Sequence, residues 1–171
     1  MSNPKNSSVL RYLFLTVTIL SFIVSTPVRA EGPPENLDNI QALVADSTLL
    51  RDKVVYVDFW ASWCLPCRQS FPWMQGIYKK YHGQGFEVVA VNVDKDHRSA
   101  VKFLDDNEAS FTILFDSTGA LAGDYRLEAM PSSYLYGRDG RLVTQKQGFH
   151  DDETDEIDAA IRELLIEEKP Q

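Results

Sequence analysis

The segment between Val54 and Tyr81 constrains the fold more than any other. Val54-Val55-Tyr56-Val57-Asp58-Phe59-Trp60 is β-branched or aromatic at every position except Asp58, the composition of a strand buried on both faces. Ala61-Ser62-Trp63 then leads into Cys64-Leu65-Pro66-Cys67. From Cys67 to Tyr81 the residues Phe71, Met74, Ile77 and Tyr78 fall on one side of a helix. A buried strand handing over to a helix through a tight turn is the building unit of an α/β fold. Pro66 suits the first turn of that helix, where its missing N–H is not needed. Pro72 lies inside the helical pattern and predicts a kink.

The rest of the chain continues the alternation. Glu31 to Asn36 reads as an extended arm, and Leu37, Ile40, Leu43 and Val44 as a short helix. Gly83 and Gly85 stop the cysteine-bearing helix, and Phe86 to Val93 is a second buried strand. Ser99 is expected to cap a short helix through Leu104 that ends near Asn107. Phe111 to Phe115 reads as a strand, Asp116 to Gly119 as a turn and Ala120 to Tyr125 as a helical turn. Ser132 to Tyr136 and Arg141 to Gln147 are strands joined through Gly137-Arg138-Asp139-Gly140, a hairpin signal. Asp151 to Glu168 is a final helix, its early acidic residues complementing the helix dipole. The fold class is α/β, one mixed sheet flanked by helices.

Residues 1–30 pose a separate problem. Lys5 and Arg11 precede a run from Tyr12 to Val24 that is apolar but for Thr16, Thr18 and Ser21, and Val28-Arg29-Ala30 ends the segment with small residues. This is the pattern of a secretory signal peptide cleaved after Ala30, leaving residues 31–171 as the domain. Retention as a membrane anchor is the alternative, although the apolar run is shorter than a comfortable span. The segment carries three basic residues and no acid, so its removal takes the net charge from −8 to −11. So acidic a chain is not built for nucleic acid.

Two cysteines, two residues apart, are too few and too close to staple a secreted domain. Their position predicts reactivity instead. At the helix N-terminus, unpaired N–H groups and the positive dipole end stabilise a thiolate, making Cys64 the attacking group. Cys67, one turn in and more buried, would resolve the mixed disulfide. The competing reading is a metal site, but the pair offers two ligands where structural zinc takes four, and His82, His97 and His150 are scattered. Neither a metal nor a cofactor is expected.

Val57 to Arg68 resembles the active-site segment of the thioredoxin superfamily. Pro72 falls where that family carries its helix-kinking proline. Met130-Pro131-Ser132-Ser133-Tyr134 is similar to the loop whose cis proline faces the redox pair. Val88 to Asp94, an extra helix and the strand Phe111 to Phe115 resemble the exported TlpA/ResA-like branch, as do Asp116 to Tyr125 and the hairpin at Arg138-Asp139-Gly140. The resemblance implies a thioredoxin-like fold with a helix–strand insert between the C-x-x-C helix and the cis-proline loop. It also implies that Asp58 exchanges a proton with Cys67, its pKa raised by burial. Thioredoxins place a lysine opposite this acid; here the position is Ala90. Trp63, Met130 and Pro131 are implied to contact substrate, with the Met130 backbone pairing with a substrate strand.

By this resemblance the activity is thiol–disulfide exchange in the periplasm or an equivalent space. It is expected to reduce protein disulfides, for example toward apocytochrome c or metal-site cysteines, and to be recharged by a membrane-bound electron donor. The opposite direction, dithiol oxidation, is the runner-up. A peptide-binding or chaperone module on the same fold is the alternative from another class. A thiol peroxidase would want a lone attacking cysteine beside a threonine and an arginine, a constellation the sequence does not show.

Overall fold

A computed structural model describes residues 33–34, 38–42 and 48–167, all within one compact unit spanning Glu31–Gln171. The signal-peptide segment, most of the arm, residues 43–47 and the last four residues lie outside the described residues. The elements run α1 (Asp38–Gln41), β1 (Val54–Trp60), α2 (Leu65–Tyr81), β2 (Phe86–Asn92), α3 (His97–Asp106), β3 (Thr112–Phe115), α4 (Ala120–Asp124), β4 (Ser132–Tyr136), β5 (Leu142–Gln147) and α5 (Thr154–Ile166).

The sheet order is β3-β2-β1-β4-β5, with β1 at the centre. β1 pairs parallel with β2, and β2 with β3; β4 runs antiparallel to both β1 and β5. All seven residues of β1 are buried, as expected of a strand covered on both faces. Its side chains alternate between two cores. Val54, Tyr56 and Trp60 join Phe71, Met74 and Ile77 of α2, Ala100 and Phe103 of α3, and Ile157, Ile161 and Leu164 of α5. Val55, Val57 and Phe59 join Ile40, Leu121, Tyr125, Tyr134 and Tyr136 on the opposite face. The result is a three-layer α/β/α arrangement with a mixed sheet.

Several boundaries differ from the sequence expectation, each for a local physical reason. The helix carrying the cysteines starts at Leu65 rather than Cys67, because Cys64 is its N-cap and accepts the Cys67 N–H through sulfur. It runs unbroken to Tyr81, with Pro72 inside it. Asp96, not Ser99, caps α3: its carboxylate accepts the Arg98 N–H at 3.1 Å, a stronger acceptor than a serine hydroxyl. The final helix begins only at Thr154, after a 3-10 turn over Asp151–Glu153. Its Asp158 does more than complement a dipole. It accepts from Lys80 at 2.9 Å and from the Tyr81 hydroxyl at 2.8 Å, tying α5 to the end of α2.

The core beneath the cysteines is aromatic. Phe71 lies 4.8 Å from both Trp60 and Phe103, centroid to centroid, and 5.7 Å from Phe111. Gln75 locks the segment before β3 to α2, donating to Ser110 Oγ at 2.8 Å and accepting its N–H at 2.9 Å. Truncating Phe71 leaves a void under three rings that cannot collapse together. Phe71→Ala is expected to lower unfolding free energy by about 3–5 kcal/mol, measured by urea titration; a loss below about 1 kcal/mol, the level of a surface change, would contradict this packing.

Candidate active site

The carboxyl end of β1 delivers the chain to the site. Ala61 accepts the Cys64 N–H at 3.1 Å, closing the turn, and Cys64 accepts the Arg68 N–H at 3.3 Å to start the helix. Cys64 and Cys67 form a disulfide with Cα atoms 5.3 Å apart. Cys64 Sγ sits at the helix start and accepts the Cys67 N–H at 3.2 Å. A sulfur there meets one of the orphan donors of the first turn and the positive end of the helix dipole. Cys67 is 0% exposed and Cys64 4%, while the neighbouring Trp63 and Leu65 are 69% and 68% exposed. Cys64 is thus nearly buried while its two sequence neighbours expose large apolar side chains.

A second carboxylate organises the turn. Asp94, buried just beyond β2, accepts from Ser62 N at 2.8 Å and Ser62 Oγ at 3.0 Å. It also accepts from the Asn92 amide at 2.7 Å, and its own N–H donates to Asn92 Oδ1 at 3.1 Å. Arg68 reaches back to donate to the Ser62 carbonyl at 3.0 Å. Sequence reasoning gave Asp94, Ser62 and Arg68 no role. The signal was present: a polar pair, Asn92 and Asp94, follows an apolar strand whose end must meet the cysteine turn.

Asp58 is placed differently. It occupies the face of β1 shared by Tyr56 and Trp60, the face that packs on α2 and contains both cysteines. Its Cα partners are Ala90 on β2 and Ser133 on β4, so no cation stands opposite it in the ladder. It is 1% exposed, and its Oδ2 has no hydrogen-bond partner among the described residues. Burial pushes its pKa well above the usual carboxylate range. Burial first, and the nearby Asp58 charge second, also push the Tyr56 phenol far up, against a hydrogen bond with Ser133 that pulls it down. Tyr56 therefore stays protonated.

The Met130–Pro131 peptide bond is cis. Ser132, the next residue, pairs with Phe59, so Pro131 stands beside the end of β1 where the cysteine turn begins. Met130 is half-buried and packs against the core cluster that contains Cys64 and Cys67. Cys64, Cys67, Asp58, Trp63, Met130 and Pro131 are thus gathered at one end of the sheet. Among the described residues no group of three or more His, Cys, Asp or Glu side chains could hold a metal ion.

The raised pKa of Asp58 has a thermodynamic consequence with an unusual sign for an acid. Its folded value lies above the ordinary 3.8, so between the two the folded protein keeps a proton that the unfolded chain has released. Stability from this group therefore falls as pH rises from about 4 through the folded pKa. Asp58→Asn removes that dependence. The stability difference, variant minus native, is expected to grow with pH by up to about 1.4 kcal/mol per unit across this window, read from urea unfolding of the oxidised proteins. A pH-independent difference would show that Asp58 titrates normally.

Residues 31–145 match the AhpC/TSA family. The chain is 32% identical over 121 residues to the thiol-disulfide oxidoreductase ResA of Oceanobacillus iheyensis, an alignment covering 68% of this chain and 63% of that protein. It is likewise 32% identical over 94 residues to ResA of Bacillus subtilis, covering 55% of this chain and 52% of the relative. The chain therefore spans only between about half and two thirds of the length of these ResA proteins. Among solved structures, a Chlorobium tepidum protein assigned as thiol:disulfide interchange protein DsbE is 44% identical, with a TM-score of 0.66 over 68% of this chain and 82% of that one. StoA of Bacillus subtilis is 25% identical, with a TM-score of 0.56 over 64% and 82%. Fold, cysteine placement and sequence agree: the chain belongs to the AhpC/TSA family and has the thioredoxin-like fold.

Proposed function

We propose that the protein is a thiol–disulfide oxidoreductase whose redox group is the Cys64–Cys67 pair. The observation that carries this reading is the bond from the Cys67 N–H to Cys64 Sγ at the start of α2. The same donor that contacts a sulfur in the disulfide stabilises a thiolate once the pair is reduced. The names of the ResA and DsbE relatives support the same chemistry.

In the reducing direction, the Cys64 thiolate attacks one sulfur of a substrate disulfide, and the other substrate sulfur leaves as a thiolate that takes a proton from water. Cys67 then passes its proton to Asp58 in the fraction of molecules whose buried carboxyl is ionised, and attacks Cys64 Sγ. This expels the second substrate sulfur as a thiolate, which takes up the proton held by Asp58, and leaves the Cys64–Cys67 disulfide. Two electrons have passed from the protein dithiol to the substrate. Asp58 fits the proton step because it is buried on the face that carries Cys67 and has an oxygen without a hydrogen-bond partner among the described residues. Trp63 would form a contact platform beside the attacking sulfur, and the Met130–Pro131 segment would take the substrate backbone.

The proposed direction is reduction of protein disulfides in an extracytoplasmic space, with cysteines of apocytochrome c or metal sites as candidate substrates and a membrane-bound donor restoring the dithiol. Export rests on the signal-peptide pattern of residues 1–30. No helix among the described residues is long and apolar enough to cross a membrane. N-terminal sequencing of the exported protein is expected to begin at Glu31; a start at Met1 would overturn cleavage.

Insulin reduction with dithiothreitol as the donor tests the chemistry. Cys64→Ser and Cys67→Ser are each expected to abolish turnover, and Asp58→Asn to slow it roughly 100-fold, the lower range for a positioned acid–base group. Undiminished turnover in both cysteine variants would point instead to a peptide-binding module. Equilibration of the purified pair against glutathione buffers assigns direction: a potential near the thioredoxin value of about −270 mV marks a reductant, and one near about −120 mV an oxidant.

A further inference from the structure

A trench runs beside the active-site turn on the α3 side. It encloses about 350 Å³ and is lined by Ser62, Trp63, Arg68, Lys102, Phe103 and Asp106, among others. One side is the exposed indole of Trp63, directly before the attacking cysteine. The other is α3, which brings Lys102 and the ring of Phe103. The trench meets a second hollow, and the two share Asp106 and Asn107; the second adds Glu108. Arg68 and Lys102 line the hollow beside the cysteine turn together with Asp106, while the second hollow, further along α2, has only acids as its charged lining, Asp106 and Glu108.

The two cations near the cysteines differ in how they are held. Arg68 is fixed, donating to the Ser62 carbonyl at 3.0 Å with its guanidinium 5.6 Å from the Phe103 ring centre. A charge fixed in this way loses little side-chain freedom when it takes a ligand. Lys102 is exposed on α3. Among the described residues neither cation forms an ion pair with a carboxylate, which is also true of Arg51, Lys95, Arg126 and Arg138, whereas Lys53, Lys79, Lys80, Arg98, Arg141, Lys146 and Arg162 do. In a chain of net charge −8, two cations without a carboxylate partner at the mouth of the reactive turn form a local positive field against an acidic background.

We infer that this trench selects the substrate: it takes a polypeptide segment that carries a carboxylate a few positions from the cysteine under attack, with Arg68 and Lys102 receiving that carboxylate. The inference rests on the proposed exchange activity and adds to it the class of disulfide preferred. Acidic flanks would be drawn to Arg68 and Lys102, and basic flanks would be repelled by them.

The test uses the reduced protein in single-turnover reactions with three peptides. Each holds one cysteine as a mixed disulfide with neutral 2-thiopyridine and is flanked on both sides by Glu, Gln or Lys. Cys64 attacks the peptide sulfur, thiopyridone leaves, and Cys67 then frees the peptide thiol while the protein becomes oxidised. Release of thiopyridone gives the second-order rate constant. The Glu peptide is expected to react roughly tenfold faster than the Lys peptide at low ionic strength, and the two to converge near 1 M salt, where charges are screened beyond about 3 Å.

Lys102→Glu is expected to lower the Glu-to-Lys ratio at least roughly threefold. Arg162→Glu, the same change in net charge on α5, is expected to leave the ratio unmoved. Equal rates with all three peptides overturn the inference while leaving the exchange activity standing, and so does an equal shift of the ratio in both variants. No thiopyridone release beyond that of a Cys64→Ser control, from any peptide, sinks the exchange activity and the inference together.

Discussion

Everything at the reactive end of this protein depends on where strand β1 stops. Its seven residues are buried by a core on each face and hydrogen-bonded to a strand on each side. Such a strand cannot shift register without turning one complete set of apolar side chains the wrong way. The turn that follows is closed by the Cys64 N–H to Ala61 bond. Cys64 Sγ is thereby delivered to a free N–H in the first turn of α2, that of Cys67. The chemistry attributed to the cysteines is a property of this junction more than of the two residues. The same C-x-x-C on a flexible loop would have neither the N–H donor nor the aligned dipole.

Two buried carboxylates near that junction show how satisfaction of hydrogen bonds divides structural from reactive groups. Asp94 receives three hydrogen bonds from Ser62 and Asn92, so both of its oxygens are satisfied away from water. Asp58 has an oxygen without a hydrogen-bond partner among the described residues and no cation opposite it in the ladder, so burial acts on it uncompensated and favours the neutral acid. A network like that of Asp94 rigidifies the turn. A buried acid like Asp58, with one oxygen unpartnered among the described residues, is costly to keep charged, which suits the proton-transfer role proposed for it.

Much of this was legible in the sequence, because the decisive signals are local. The uninterrupted apolar strand, the C-x-x-C, the proline in the first turn and the hairpin residues each act within a few positions. The mixed sheet, the burial of Asp58 and the exposure of Trp63 all follow that reading. What stayed hidden is what requires two distant segments to meet. The α3 cap is the local exception: Ser99 suits a cap by residue type, but Asp96 has the stronger acceptor and takes the position. Asp158 resembled one more acid at a helix start, and only the packing of α5 reveals Lys80 and Tyr81 beside it. Asp94 lies 32 residues from Ser62, and no periodicity links them. Likewise, Arg138 in the hairpin donates to the Asp52, Gln84 and Leu165 carbonyls, clamping three separated segments. Its guanidinium lies against Gly85, whose φ of 91° and lack of Cβ both suit the approach.

The exposed apolar residues complete the physical account. Trp63 and Leu65 flank Cys64 in sequence and stand mostly in water, although each could bury a large area if the local backbone turned inward. The backbone has no such freedom, because Ser62 is held by Asp94 and Arg68 while Leu65 begins the helix. The same bonds that hold the sulfur at the helix terminus therefore keep its two neighbours facing outward. Covering them requires an incoming chain, and a chain that covers them is brought to the sulfur between. Rigidity at the turn thus serves both parts of the proposed reaction, thiolate stabilisation and substrate contact, through a single set of hydrogen bonds.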